Sequence, residues 1–200
     1  MAYTTEKDQV SYSLGVNIAT SLKNQGFDDL NLEALTAALG DVFGNKALQI
    51  DEEKGGQILN AYFQSMQQRK QAKNVEEGAA FLKANSSKPD VITLPSGLQY
   101  KVLIEGNGPK PKATDKVTTH YHGTLINGTV FDSSVERGQP ATFPVNGVIA
   151  GWIEALQLMP TGSKWQLYVP SDLAYGTRGA SELIGPNTTL IFDVELISIN

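Results

Sequence analysis

His120 and His122 are the two histidines of the chain. Two residues apart in a strand, they would share a face, as a two-ligand metal site requires. Parity argues against that site. Val117, Tyr121 and Leu125 have odd numbers and an apolar side toward the core, so both histidines point the other way, with Thr118 and Thr124, toward solvent. No third ligand accompanies them, and no metal is expected. Ser133 and Ser134 follow Asp132, which raises nucleophilic catalysis, but the imidazoles lie on the face opposite Tyr121. Capping or bulge hydrogen bonds account better for the two serines. What remains is the stretch from Val130 to Met159, where apolar and aromatic groups gather around the Asp132 carboxylate. Phe131 precedes that aspartate, and Gly151 and Trp152 open an apolar helix. A site of this kind works by packing and a few hydrogen bonds.

Tyr121, Phe131, Trp152, Tyr175 and Phe192 come from three strands, a helix start and a loop. Taken alone they fit an ordinary hydrophobic core, since aromatic stripes usually are core. The loop from Pro170 to Asn187, PSDLAYGTRGASELIGPN, favours a concave site instead: its glycines and prolines, with Leu183 and Ile184 expected to be exposed, suit a binding rim.

The elements that must carry these residues fall into two kinds. Val10, Leu14, Ile18 and Leu22, then Leu32, Leu35, Leu39, Val42 and Phe43, repeat with helical spacing, and Gly26 and Gly44 stand where two helices would stop. Asp51 offers an N-cap for a third helix reaching about Ala84, roughly 50 Å long at about 1.5 Å per residue. Its first half carries the apolar stripe Ile58, Leu59, Tyr62, Phe63 and Met66; from Gln67 to Lys83 it is polar, so the first half is expected to pack and the second to span. So small a helical core is marginal alone. Self-association as a twofold dimer is expected, with docking on the C-terminal domain as the alternative.

After the polar segment NSSKPD, residues 85–90, the periodicity turns to alternation. Leu98, Tyr100, Val102 and Ile104 share one face of a strand, as do Trp165, Leu167 and Val169, and Leu190, Phe192, Val194 and Leu196. Asn127-Gly128 is a hairpin signal before Thr129 to Phe131. With one helix near Trp152 to Leu158, the expected fold class is α+β: an N-terminal all-α dimerisation domain (1–50), a long linking helix (51–88) and a C-terminal antiparallel β-sheet wrapped on one short helix (89–200).

A net charge of −5 disfavours nucleic acid or an anionic membrane as the main partner. The absence of cysteine removes disulfides and thiolate chemistry. The N-terminal MAYTTEKDQVSYSLG lacks a basic and an apolar region, and no stretch approaches about 20 apolar residues, so a cytoplasmic location is expected.

HYHGTLINGTVFDSS, VIAGWIEALQLMPTGSKWQLYVPSDLAYG and TLIFDVELISI, over about residues 95–200, closely resemble the FKBP-type peptidyl-prolyl cis-trans isomerases, immunophilins that bind tacrolimus. YSLGVNIATSLKNQG resembles the helical dimerisation domain of the macrophage infectivity potentiator-like subgroup, a bacterial dimeric type of 22 kDa. The resemblance implies an isomerase without cofactor that acts on X–Pro bonds of proline-containing polypeptides, binds tacrolimus- or rapamycin-like macrolide inhibitors, and forms a homodimer through its N-terminal helices. A proline-segment-binding holdase chaperone is the alternative. Carried over residue by residue, the resemblance makes Trp152 the pocket floor and Tyr121, Phe131, Val148, Ile149 and Phe192 its walls. Phe143 and Ile184 join the substrate contacts, and Asp132 and Tyr175 become the polar groups at the mouth. The Ile149 N–H becomes a donor to a substrate carbonyl. Ala141 stands where many members carry an aromatic in the wall, and Ala180 where some carry a bulky loop residue, which implies a wider pocket.

Overall fold

The computed structural model describes residues 3–200. The chain divides into two compact units, one ending at Asn60 and the other running from Ala61 to Asn200.

The first unit is helical. Helix α1 (Glu6–Asn24) starts where the Thr5 hydroxyl accepts from the Asp8 N–H, and the chain leaves it through Gly26 at φ +89°. Helix α2 (Leu32–Phe43) is capped by Asn31, whose side chain accepts from the Ala34 N–H, and ends at Gly44. Neither helix has a buried residue. Helix α3 (Glu52–Asn85) begins where the Asp51 carboxylate accepts from the Lys54 N–H, with Glu52 and Glu53 at the positive end of its dipole.

From Ala61 onward α3 belongs to the second unit, and here an expectation is overturned. Its polar second half packs rather than spans. Asn74, Gly78, Phe81 and Asn85 recur at helical spacing on the face that meets the sheet unit, where Gly78 and Asn85 are buried. The Asn85 amide donates to Gln99 Oε1 at 2.9 Å, Gln99 donates back to the Leu82 carbonyl at 2.9 Å, and the Phe81 ring lies 6.0 Å from Tyr168. A search for an apolar stripe misses this face because it docks through a glycine and carboxamides.

The sheet has seven antiparallel strands: β1 (Val91–Thr93), β2 (Gln99–Ile104), β3 (Lys116–Leu125), β4 (Val130–Ser133), β5 (Ala141–Pro144), β6 (Lys164–Val169) and β7 (Leu190–Ile199). The order is β1-β2-β6-β7-β3-β4, with β5 also paired to β3. Helix α4 (Ala150–Leu158) lies against it and buries Trp152, Ala155 and Leu156, with Met159 just beyond. Gly151 permits this close approach, since a Cβ there would stand 2.6 Å from Val169 Cγ1. The core comprises these residues with Leu98, Val117, Val145, Trp165, Leu167, Val169, Ile184, Leu190, Phe192, Val194 and Leu196. Ile104 departs from the expected alternation: a register shift between Val102 and Ile104 carries it to an exposed position. Among the described residues no helix is long and apolar enough to cross a membrane.

Candidate functional site

Trp152 is the centre of the site. It stands in the first turn of α4, buried, and its indole meets three aromatic rings nearly at right angles: Tyr121 at 5.5 Å, Phe143 at 5.7 Å and Phe192 at 5.3 Å. Phe131 from β4 packs edge-on to Phe192 at 5.4 Å. Edge-to-face contacts place the positive rim of one ring against the negative face of another. The four rings and the indole thus form one aromatic lining. The opening is a cavity of about 550 Å³, within the range of about 300–1,000 Å³ usual for small-molecule sites.

The strands deliver these rings by register. Tyr121 and Gly123 lie on the inner side of β3, Phe192 opposite Gly123 on β7, and Asp132 opposite Gly123 on β4. Gly123 matters because a Cβ there would fall 2.6 Å from Phe131 Cε2 and 3.1 Å from Phe192 Cε1. Val148 and Ile149 enter from the turn before α4, while Tyr175, Ala180, Ser181 and Ile184 come from the loop between β6 and β7. All ten residues singled out from the sequence (Tyr121, Phe131, Asp132, Phe143, Val148, Ile149, Trp152, Tyr175, Ile184 and Phe192) line this one cavity.

Two details differ from expectation. Ile184 is 6% exposed, not a free rim residue, because the loop turns back on itself: the Ala180 N–H donates to the Ile184 carbonyl at 2.9 Å. Leu183 keeps the exposed position, at 50%. Ala141 does not line the cavity; its β5 neighbour Phe143 supplies an aromatic wall, and Ala180 does line it.

The polar side of the cavity is a closed network. The Tyr121 hydroxyl donates to Asp132 Oδ2 at 2.6 Å and accepts from Arg137 Nη2 at 2.8 Å, while Arg137 Nη1 pairs with Asp132 Oδ1. The guanidinium also sits 5.6 Å from the Tyr121 ring centre. Burial raises the Tyr121 phenol above its ordinary value, aided by its hydrogen bond to the Asp132 carboxylate. At Asp132 burial acts upward too, but hydrogen bonds from Tyr121 and Arg137 outweigh it and hold the carboxyl below its ordinary value. Near neutral pH the network is a neutral phenol between a carboxylate and a guanidinium.

Arg137 escaped the sequence reading, and the turn after β4 explains how it returns to Asp132. Ser133 accepts the Glu136 N–H at 3.1 Å on its hydroxyl and the Arg137 N–H at 3.3 Å on its carbonyl, and Gly138 adopts φ +70°. Ser134 Oγ accepts from the Tyr121 N–H at 2.7 Å. The serines thus tie the turn to β3, as a hydrogen-bonding role predicts. The histidines lie on the face opposite Tyr121, but they are half-buried rather than freely solvated, because each Nδ1 lies 3.0 Å from a serine hydroxyl: His120 with Ser134, His122 with Ser133. Among the described residues no group of three His, Cys, Asp or Glu side chains is placed to hold a metal ion.

Comparison with known proteins gives the same assignment at several levels. Residues 108–197 match the family model described as FKBP-type peptidyl-prolyl cis-trans isomerase, and residues 7–102 match the domain amino terminal to it. The chain is 44% identical to the FKBP-type 22 kDa peptidyl-prolyl cis-trans isomerase of Escherichia coli K12, across 98% of this chain and 97% of that protein. It is 47% identical to the peptidyl-prolyl cis-trans isomerase Mip of Coxiella burnetii, across 98% and 87%. The crystal structure of FkpA from Escherichia coli is similar with a TM-score of 0.80 at 34% identity, covering 99% of this chain and 98% of that one.

Proposed function

This chain belongs to the FKBP-type peptidyl-prolyl cis-trans isomerases, and from that premise we propose how its own residues lower the barrier to X–Pro rotation. That barrier is about 18–20 kcal/mol because resonance gives the C–N bond double-bond character. Rotation breaks no covalent bond. The planar amide is strongly dipolar and the twisted amide less so, and a water-excluding apolar wall therefore favours the twisted state over the ground state. Each ~1.4 kcal/mol of that difference is tenfold in rate.

The prolyl ring lies against Trp152, between Phe131, Phe143 and Phe192. Val148 and Ile184 close the apolar wall. The Ile149 N–H and the Tyr175 hydroxyl hold carbonyls flanking the proline. Asp132 fixes the Tyr121 ring through its hydroxyl and keeps the polar edge of the cavity in one geometry. The observation that supports this reading best is the buried Trp152 indole set nearly perpendicular to three aromatic rings that line the same open cavity. A protease-coupled assay on an X–Pro tetrapeptide tests it: Phe131→Ala and Asp132→Ala are each expected to lower kcat/KM by about tenfold or more, and an unchanged rate for either removes that residue from the site. The same cavity is expected to bind tacrolimus- or rapamycin-like macrolides, in competition with the peptide.

The functional unit we propose is a homodimer joined through the N-terminal helices, with chaperone activity added to isomerisation. The exposed apolar side chains of α1 and α2 support it. A proline-segment-binding holdase, with isomerisation secondary, is the competing reading; it predicts that suppression of an unfolded client's aggregation, rather than acceleration of proline-limited refolding, is the larger effect. A cytoplasmic location is also a proposal: recovery with periplasmic or outer-membrane markers on cell fractionation would overturn it.

A further inference from the structure

The cavity wall formed by Ser181 and Ile184 belongs to a loop with little regular structure, and something outside the loop must hold it. Internal hydrogen bonds close its tip, between Ala180 and Ile184, and its base, where the Asn187 N–H donates to the Gly176 carbonyl at 2.8 Å. Neither bond fixes the loop against the rest of the unit. Ile184 is packed into the core, and the side-chain hydrogen bond that holds the segment after it comes from α3. The Asn74 side-chain amide donates to the Pro186 carbonyl at 2.8 Å and reaches the Thr188 hydroxyl at 3.3 Å, while that hydroxyl donates to the Gly185 carbonyl at 2.7 Å.

The helix and the loop are in direct contact around this bond, most tightly at Gly78. A Cβ on Gly185 would sit 3.5 Å from Lys70 Cε and 3.6 Å from Asn74 Nδ2, and one on Gly78 would collide with the Thr189 hydroxyl. The helix therefore lies directly on the segment joining Ile184 to β7. Its other end is fixed to β2 through the buried Asn85 and Gln99. Eleven residues separate Asn74 from Asn85, a rigid span of roughly 16 Å at about 1.5 Å per residue. A strut anchored at the sheet and bonded to the loop sets where the loop stands.

Building on the site proposed above, we propose that Asn74 is a positioning residue for substrate binding: its carboxamide, carried on α3, holds the Pro186 carbonyl and so keeps Ile184 on the cavity wall. A carboxamide suits the task because one Nδ2 carries two N–H donors for two acceptors. An aspartate of the same shape would set a carboxylate against the Pro186 carbonyl. Asn74 is not among the residues that line the cavity, and its bonds go to Pro186 and Thr188, so it acts through the loop.

The test uses the full chain with Asn74→Asp and Asn74→Leu, an X–Pro peptide as substrate, and amide hydrogen exchange. Both variants are expected to raise KM about fivefold, the scale of one lost hydrogen bond, with kcat unchanged to within about twofold. The Ala180 and Asn187 amides are expected to exchange about tenfold faster, with the core amides of Leu167 and Val194 unchanged. Wild-type KM, wild-type loop exchange, or core amides that speed up equally would each overturn the proposal. Phe131→Ala in the same assay separates the two readings. If it abolishes activity while the Asn74 variants behave as wild type, only the latch fails; if it has no effect, the site assignment itself fails.

Discussion

Tyr121, Asp132 and Arg137 hold one another in fixed protonation states, and the pH dependence of the reaction follows. The Asp132 carboxyl lies below its ordinary value. A depressed carboxyl contributes above its unfolded value and loses that contribution as pH falls through its folded value, which puts the acid limb below about pH 4. The Tyr121 phenol is raised, so its proton stays in place below about pH 10 and is lost only above it. Between about pH 5 and 9 the network is constant, and kcat/KM is expected to be flat there. Arg137→Leu removes one of the groups that lower Asp132, so the acid limb should move to higher pH. At neutral pH the cost should not exceed about fivefold, because the pair is about half exposed and solvent screens it. Exchange spectroscopy of the peptide across the pH range reads both effects, and an acid limb that stays in place would show that Arg137 does not tune Asp132.

At the scale of strands and helices, the site depends on a strand with one residue left bare. Gly123 lies between Phe131 and Phe192, and Gly123→Ala would place a methyl 2.6 Å from the Phe131 ring. Both rings must then shift from their places around Trp152. Overpacking of this kind costs about 1–3 kcal/mol, so thermal unfolding should move down, and kcat/KM per folded molecule should fall well below wild type. Full activity in the folded fraction would show that the rings can relax without harm. Much of this architecture is legible in the sequence. Alternation of two places Val117 and Tyr121 inward, a period of 3.6 places Trp152, Ala155 and Leu156 on one side of α4, and Asn127-Gly128 marks the β3–β4 hairpin, where Gly128 has φ +86°. The missed features have physical reasons. Strands β1 and β5, three and four residues long, are too short to establish a period. Arg137 reads as a solvated charge until the turn folds it back. The docking face of α3 makes no apolar stripe because Phe81 stands in it among Asn74, Gly78 and Asn85.

The two units pose different stability problems. Residues 61–200 enclose a core in which Leu98, Val117, Leu156, Leu167 and Leu196 are fully buried. The helices α1 and α2 bury nothing, yet carry Val10, Leu14, Ile18, Leu39 and Val42 at 43–59% exposure. Fixing backbone costs about 1–2 kcal/mol per residue, which helices without a core do not offset. A second copy supplying the missing apolar surface is the simplest remedy, and twofold symmetry is the commonest way to provide it. Light scattering should therefore give about twice the 21.6 kDa of one chain. Leu14→Asp with Ile18→Asp should return it to monomer with loss of helical circular dichroism. A monomeric wild-type mass would sink the dimer. The two units also make separable demands on activity. A chain of residues 61–200 keeps both the core and Asn74, whereas one of residues 89–200 keeps the cavity but loses the α3 strut. Tetrapeptide KM should then match the full chain for 61–200 and rise about fivefold for 89–200, as for loss of the Asn74 bond alone. Refolding of a proline-limited protein should decline in both, because neither can bring two sites to one client at high effective concentration. If 61–200 refolds the client as fast as the full chain, chain binding belongs to the isomerase unit and the helical unit has some other purpose.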